Sequence, residues 1–302
     1  MKNIFYGGEF MNYRTDLALE TQEMLEKKMQ LTGFTRKSSQ LDEDISVTRI
    51  TITDEAGERA FGKPKGNYIT IEVKGILEQK KDICKRAARA LAGVLKELIP
   101  FHYYLKVLVV GLGNEKVTPD SLGPHTVDKV KITSHLFKIY DCDGDFEMGN
   151  VSGFNPSVTG VTGMETAEVI EKVVSLVKPE AVLIIDSLAA KDIERISTTI
   201  QVSDTGIAPG AGMGNRRKAI DEATLGCRVI AVGVPTVIDS RTLILDAAEE
   251  IPGWNQSDAE GYFAQKELDM VVTSTDIDEI IRQFAEIIAD GINITLHPGI
   301  YS

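Results

Sequence analysis

The chain is 302 residues long, 43% hydrophobic and 26% charged, with a formal net charge of −12. That balance excludes a disordered or fibrous chain, and the acidic excess disfavours direct contact with nucleic acid or an anionic membrane surface. Three cysteines without paired spacing (Cys84, Cys142, Cys227), no basic-then-apolar leader, and no apolar run near the roughly 20 residues that span a bilayer predict a reduced, cytoplasmic protein.

The first 40 residues are polar apart from "DLALETQEMLEKKMQ", where Leu17, Leu19, Met24, Leu25 and Met29 can share one face of a helix. "SVTRITIT" (46–53) and "NYITIEV" (67–73) alternate β-branched residues around the turn-forming "GKPKG" and predict two strands at a sheet margin. A long helix is predicted over 76–98, stopped before Pro100. The short apolar runs "LKVLVV" (105–110) and "AVLIID" (181–186) have the character of parallel strands buried on both faces. Between them, Thr162 and Glu165 are placed as a capping box for a helix with Ile170, Val173, Val174 and Val177 on one face and Pro179 as its stop. "RISTTIQV" and "CRVIAVG" continue the alternation, and "DIDEIIRQFAEIIAD" closes the chain as a helix ending before Gly291. The expectation is α/β: three layers, a mostly parallel sheet flanked by helices, with a small β extension.

In an open parallel sheet the functional crevice lies beyond the carboxyl ends of the strands. Asp120 follows the strand ending at Val110, and Asp186 is the last residue of "AVLIID", so both are candidates for one rim. Two adjacent carboxyl groups cannot both ionise cheaply, so one holds a proton while the other accepts one. With a water between them they form an acid and a base suited to amide hydrolysis. Spacing alone leaves another reading open: "TPD" is also a helix start, with Thr118 as N-cap and Pro119 at the first position, and Asp186 before "SLAA" can be an N-cap.

Six phrases, taken in order, resemble the germination protease family of spore-forming bacteria: "YRTDLALE" (13–20), "GLGNEKVTPDSLGP" (111–124), "GVTGMETAEVI" (160–170), "IIDSLAA" (184–190), "TIQVSDTGIAPGAGMGNRR" (199–217) and "GVPTVID" (233–239). The resemblance implies an atypical aspartic endopeptidase with a fold related to hydrogenase-maturing endopeptidases. Its two essential aspartates fall on Asp120 and Asp186, with the division between base and acid left open. It implies a self-processing zymogen cut between Asp16 and Leu17, an acidic residue followed by an apolar one, as in the family's substrates. Residues 1–16 are then a pro-segment and 17–302 a single peptidase domain with 46–73 as its β extension. Translation from Met11 would shorten that segment. The implied substrates are small acid-soluble spore proteins, degraded in the spore core during germination, and the implied assembly is a homotetramer.

Other motifs point elsewhere only weakly. "PGAGMGN" (209–215) lacks the Lys-Ser/Thr of a phosphate loop and the spacing of a dinucleotide fingerprint. Gly210 and Gly212 are instead expected to let a peptide backbone approach the cleft, with Arg216 and Arg217 as candidates to recognise the acidic residue before the cut bond. "DCDGDF" (141–146) has no Gly at the sixth loop position and reads as an acidic turn, not a calcium loop. His102, His125, His135 and His297 show no zinc spacing, so no metal and no cofactor is assigned. No G-x-S-x-G elbow occurs, no base is identified for Ser187, and the apolar or acidic neighbours of Cys142 and Cys227 would not activate a thiol. Two alternatives remain: a metal-dependent amidase or peptidase at the same rim, and a non-catalytic α/β protein binding an anion after "GLGN".

Overall fold

The computed structural model of the chain describes residues 13–27, 30–76, 78, 80–210, 217–249, 251, 253, 261–263 and 270–301. Its strands are β1 (Phe34–Gln40), β2 (Ile45–Ile52), β3 (Gly66–Val73), β4 (Lys106–Gly111), β5 (Asn150–Phe154), β6 (Ala181–Ala190), β7 (Thr199–Ser203), β8 (Arg228–Asp239) and β9 (Val271–Val272). Together they form one sheet in the order β1-β2-β3-β7-β8-β6-β4-β5, with β9 paired to β8. The pairings around β4, β5, β6 and β8 are parallel. The expected parallel character stops there, because β7 runs antiparallel to β8 and carries the antiparallel β3-β2-β1 meander onward.

Alternation along the central strands explains the three layers. In β4, Val107 and Val109 face one side while Leu108 and Val110 face the other; in β6 the same division separates Leu183 and Ile185 from Val182 and Ile184. Helix α3 (Ile83–Leu98) and the closing helix (Ile277–Leu296) cover the first face. The second is covered by α7 (Thr166–Val177) and α8 (Glu222–Leu225). Towards the meander, α1 (Ala18–Glu26) and α2 (Glu55–Phe61) pack with Ile50, Ile52 and Tyr68. Burying both faces of the sheet is what makes "LKVLVV" and "AVLIID" continuously apolar.

Several expected boundaries move, each for a local reason. The segment between β2 and β3 is a turn only at its end: α2 intervenes, with Asp54 accepting from the N–H groups of Ala56 and Gly57 and Gly62 closing it at φ 63°. Helix α3 begins at Ile83, after Asp82 in left-handed backbone, and not near residue 76. The capping box does not form: Thr162 ends the one-turn α6 (Thr159–Thr162), and Glu165 precedes α7 with no side-chain cap. The closing helix runs through Gly291 to Leu296, and the glycine serves close packing there, since a side chain would meet Leu91 and the Ala88 carbonyl of α3 at 2.9 and 3.1 Å. Gly291 is therefore a helix-crossing point, not a stop. Strand β6 continues past Asp186 to Ala190, so Asp186 is a mid-strand residue and not an N-cap.

Candidate active site

Beyond Gly111, β4 gives way to a tightly packed loop, 3-10 turn (Thr118–Asp120) and helix α4 (Leu122–Val127). Backbone meets backbone here. A side chain at Gly111 would lie 2.4 Å from the Gly123 carbonyl oxygen, and one at Gly123 would lie 2.2 Å from that of Leu112. Gly113, at φ +111°, has the Asp120 carbonyl oxygen 1.9 Å from where its Cβ would be, a position only glycine can hold. The Asn114 N–H donates both to the Asp120 carbonyl, at 2.9 Å, and to Asp120 Oδ2, at 2.9 Å. On the far side the Thr236 hydroxyl of β8 donates to the Pro119 carbonyl at 2.7 Å. Asp120 is thus fixed by its neighbours and does not cap a helix: Val117 occupies the N-cap position, and no side chain caps the turn.

Asp186 projects from the middle of β6, opposite Gly233 of β8, and is 6% exposed. Its Oδ1 accepts from the Ser187 N–H at 2.9 Å. Burial pushes its pKa well above the usual carboxylate value, and the charges of Asp120 and then Asp16 push it further; the Ser187 hydrogen bond only partly opposes them. Asp120, more exposed, is also raised by burial, with the Asn114 N–H and then the Arg217 charge opposing. Both carboxyl groups line a cleft of about 300 Å³ that also takes in Asp16, Gly210, Arg217 and Thr236, a size that admits a stretch of peptide.

Asp16 arrives from the N-terminal segment, held as if docked. Its N–H donates to the Ala189 carbonyl at 2.9 Å, and its Oδ2 accepts from the Ala189 N–H at 2.8 Å. The β6–β8 register shifts between Leu188 and Ala189, where this docking occurs. Next to it Leu17 is fully buried against Leu188, Ala190 and Ile238. Upstream, the Arg14 guanidinium reaches the buried Asp239 at 3.2 Å.

The structure therefore brings Asp16, Asp120 and Asp186 into one cleft, with Gly210 and Arg217 at its exposed margin. Arg217 donates to Thr159 Oγ1 at 2.7 Å and acts electrostatically on Asp120. Gly212 and Arg216 lie outside the described residues. His125 is on α4 and does not line the cleft. Among the described residues no group of three or more His, Cys, Asp or Glu side chains is placed to hold a metal ion. Sequence reasoning missed Lys63 and Gln201, whose side chains meet the Asp16 carbonyl. Gln201 carried a signal, since an amide inside the apolar strand "TTIQV" must find partners when buried; Lys63, in a polar loop, carried none.

Known proteins place the chain. The profile of the germination protease family matches residues 13–252. A germination protease of Caldanaerobacter subterraneus subsp. tengcongensis is 43% identical over 96% of this chain and 96% of its own length. One from Clostridium perfringens is 39% identical over 95% and 96%. A [NiFe] hydrogenase maturation protease, HycI, from Thermococcus kodakarensis superposes at a TM-score of 0.34 with 14% identity, over 66% of this chain and 99% of its own, too loose a likeness to bear on the fold. With the family profile spanning most of the chain, and relatives matching nearly all of it, this protein belongs to the germination protease family and is an endopeptidase.

Proposed function

We propose that Asp120 and Asp186 activate a water molecule for peptide hydrolysis, and that the chain is a zymogen whose first substrate is its own Asp16–Leu17 bond. The observation that carries this reading is the docking of Asp16 in the same cleft as both aspartates, close enough for its charge to act on Asp186. The asymmetry of the pair divides the roles. Asp186, the more deeply buried and the more strongly raised, keeps its proton and serves as the acid. Asp120, steadied by the Asn114 N–H and by Arg217, ionises first and serves as the base. Acid and base are exchanged in each turnover, as with any proton-sharing pair.

Small acid-soluble spore proteins are the substrates that this reading carries over from the family resemblance, with cleavage after an acidic residue followed by an apolar one. A homotetrameric assembly comes from the same source, and light scattering on the purified chain measures it. The full-length chain, incubated at mildly acidic pH, is expected to yield a product beginning at Leu17. Asp120→Asn and Asp186→Asn should each slow that release by about 10²–10⁴-fold, the range of acid–base contributions. Chelator should leave the rate unchanged. A stable product with another N-terminus removes the processing assignment, and full activity in either variant removes the pair.

A further inference from the structure

The carbonyl oxygen of Asp16, which belongs to the bond expected to break, is itself held. Lys63 Nζ donates to it at 2.9 Å and Gln201 Nε2 donates to it at 2.9 Å. The orientation of the Gln201 amide is fixed independently, because its Oε1 accepts the Ala18 N–H at 2.8 Å. One side chain therefore brackets the Asp16–Leu17 bond, giving a hydrogen bond to the carbonyl before it and taking one from the amide beyond it. Gln201 and Asp186 are also linked through the sheet: both pair with Gly233, from opposite sides of β8, and so project from the same face. Gly233 has no room for more, since a Cβ there would meet the Leu188 side chain at 2.5 Å. Lys63 and Gln201 border a second hollow that adjoins the aspartate cleft through Asp16 and Leu188.

We propose that Lys63 and Gln201 form the oxyanion-binding pair of this peptidase, holding the carbonyl oxygen of the residue before the cut bond as negative charge develops on it. The inference rests on Asp120 and Asp186 acting as proposed above. Water oxygen bonds to the Asp16 carbonyl carbon while the ionised aspartate takes its proton. The carbonyl electron pair moves onto oxygen, where the Lys63 ammonium and the Gln201 amide both donate. Collapse restores the C=O bond and breaks the C–N bond; the Leu17 nitrogen takes the proton of the other aspartate. The products are a carboxyl at Asp16 and an amine at Leu17, and the pair again shares one proton. Donors 2.7–3.1 Å from the charge-bearing oxygen are the geometry such stabilisation requires. Lys63 is partly buried: burial lowers its pKa, and the nearby charges of Asp16 and Glu20 oppose that effect, so its interaction with an oxyanion is less screened than in open water.

The test is the rate at which the full-length chain releases a product beginning at Leu17, followed by mass spectrometry in a single turnover. Lys63→Met and Gln201→Leu are expected to slow release by about 10²–10³-fold each, with Lys63→Arg recovering part of the loss. Melting temperature and hydrogen exchange of the Asp16 and Ala18 amides are followed in the same samples. Slow release with the Asp16 amide still protected supports the proposal. Slow release with that protection lost shows that the pair only anchors the segment, and overturns it. Rates close to the parent's, while Asp120→Asn and Asp186→Asn stop release, overturn it and leave the aspartate pair standing. A parent chain that never yields the Leu17 product removes the processing reading and this inference with it. If Lys63→Met fails to fold, Lys63→Arg and Gln201→Leu decide the matter by the same criteria.

Discussion

Asp120 and Asp186 carry the same functional group in unlike surroundings, and the difference comes from backbone. Asp186 sits mid-strand and is buried but for its face on the cleft, while Asp120 sits on a 3-10 turn whose position is set by Gly113. Replacing Gly113 by Ala forces a side chain onto the Asp120 carbonyl and into a φ of +111°. The backbone conformation alone costs about 1–3 kcal/mol, and the contact can be relieved only by moving Asp120. Gly113→Ala should therefore lower stability by at least that much in a denaturant titration. Processing should slow by more than the loss of folded protein accounts for. A variant that is destabilised yet processes at the parent's rate per folded molecule would show that Asp120 need not stay where Gly113 puts it.

At the scale of elements, the N-terminal segment is stitched to the strands that build the site. Leu17 is buried on β6 and β8 while Ala18 begins α1. Cutting before Leu17 would leave it seated and free only what precedes it. Leu17→Ala should cost about 2–5 kcal/mol, as other fully buried leucines do, read from the denaturation midpoint; a loss well under 1 kcal/mol would mean that Leu17 is not packed as described. Much of this arrangement was legible in the sequence. The apolar runs of β4 and β6 announced a buried parallel core and drew attention to the two aspartates, although β6 runs on past Asp186 to Ala190. What was not legible depended on partners distant in the chain. Strand β1, "FTRKSSQ", is almost wholly exposed and exists because β2 pairs with it; its polarity hid it. Gly291 looks like a helix stop until α3 crosses it. Asp186 looked like a strand end because "SLAA" resembles a helix start, whereas β8 carries pairing on to Ala190. Lys63 and Gln201 acquire a role only once residue 16 has folded back between them.

For the whole molecule, partly or fully burying carboxylates around one cleft shapes how stability depends on pH. Asp186 and Asp120 are raised by burial, and Glu20, beneath the same segment, is raised by burial as well. Between the ordinary carboxylate value and these raised ones the folded chain binds more protons than the unfolded chain, so stability falls as pH rises through that interval. Asp42 and Asp44 work the other way. Asp42 is lowered chiefly by the Asp44 N–H and Asp44 chiefly by Lys80, with Arg86 assisting both, and their contribution is lost as pH falls through their folded values. The raised group therefore favours acid and the lowered group opposes strong acid. Asp186→Asn tests the upper limb, since the amide keeps an oxygen to accept the Ser187 N–H and removes only the ability to titrate. Near pH 7.5, about where an ordinary carboxylate is fully ionised, the variant should melt above the parent. That advantage should shrink on acidification and vanish below about pH 4, where Asp186 is protonated in the unfolded chain as well. Parallel melting curves across the whole range would mean that Asp186 titrates as an ordinary carboxylate, and a pair able to divide acid from base would then have lost its physical basis.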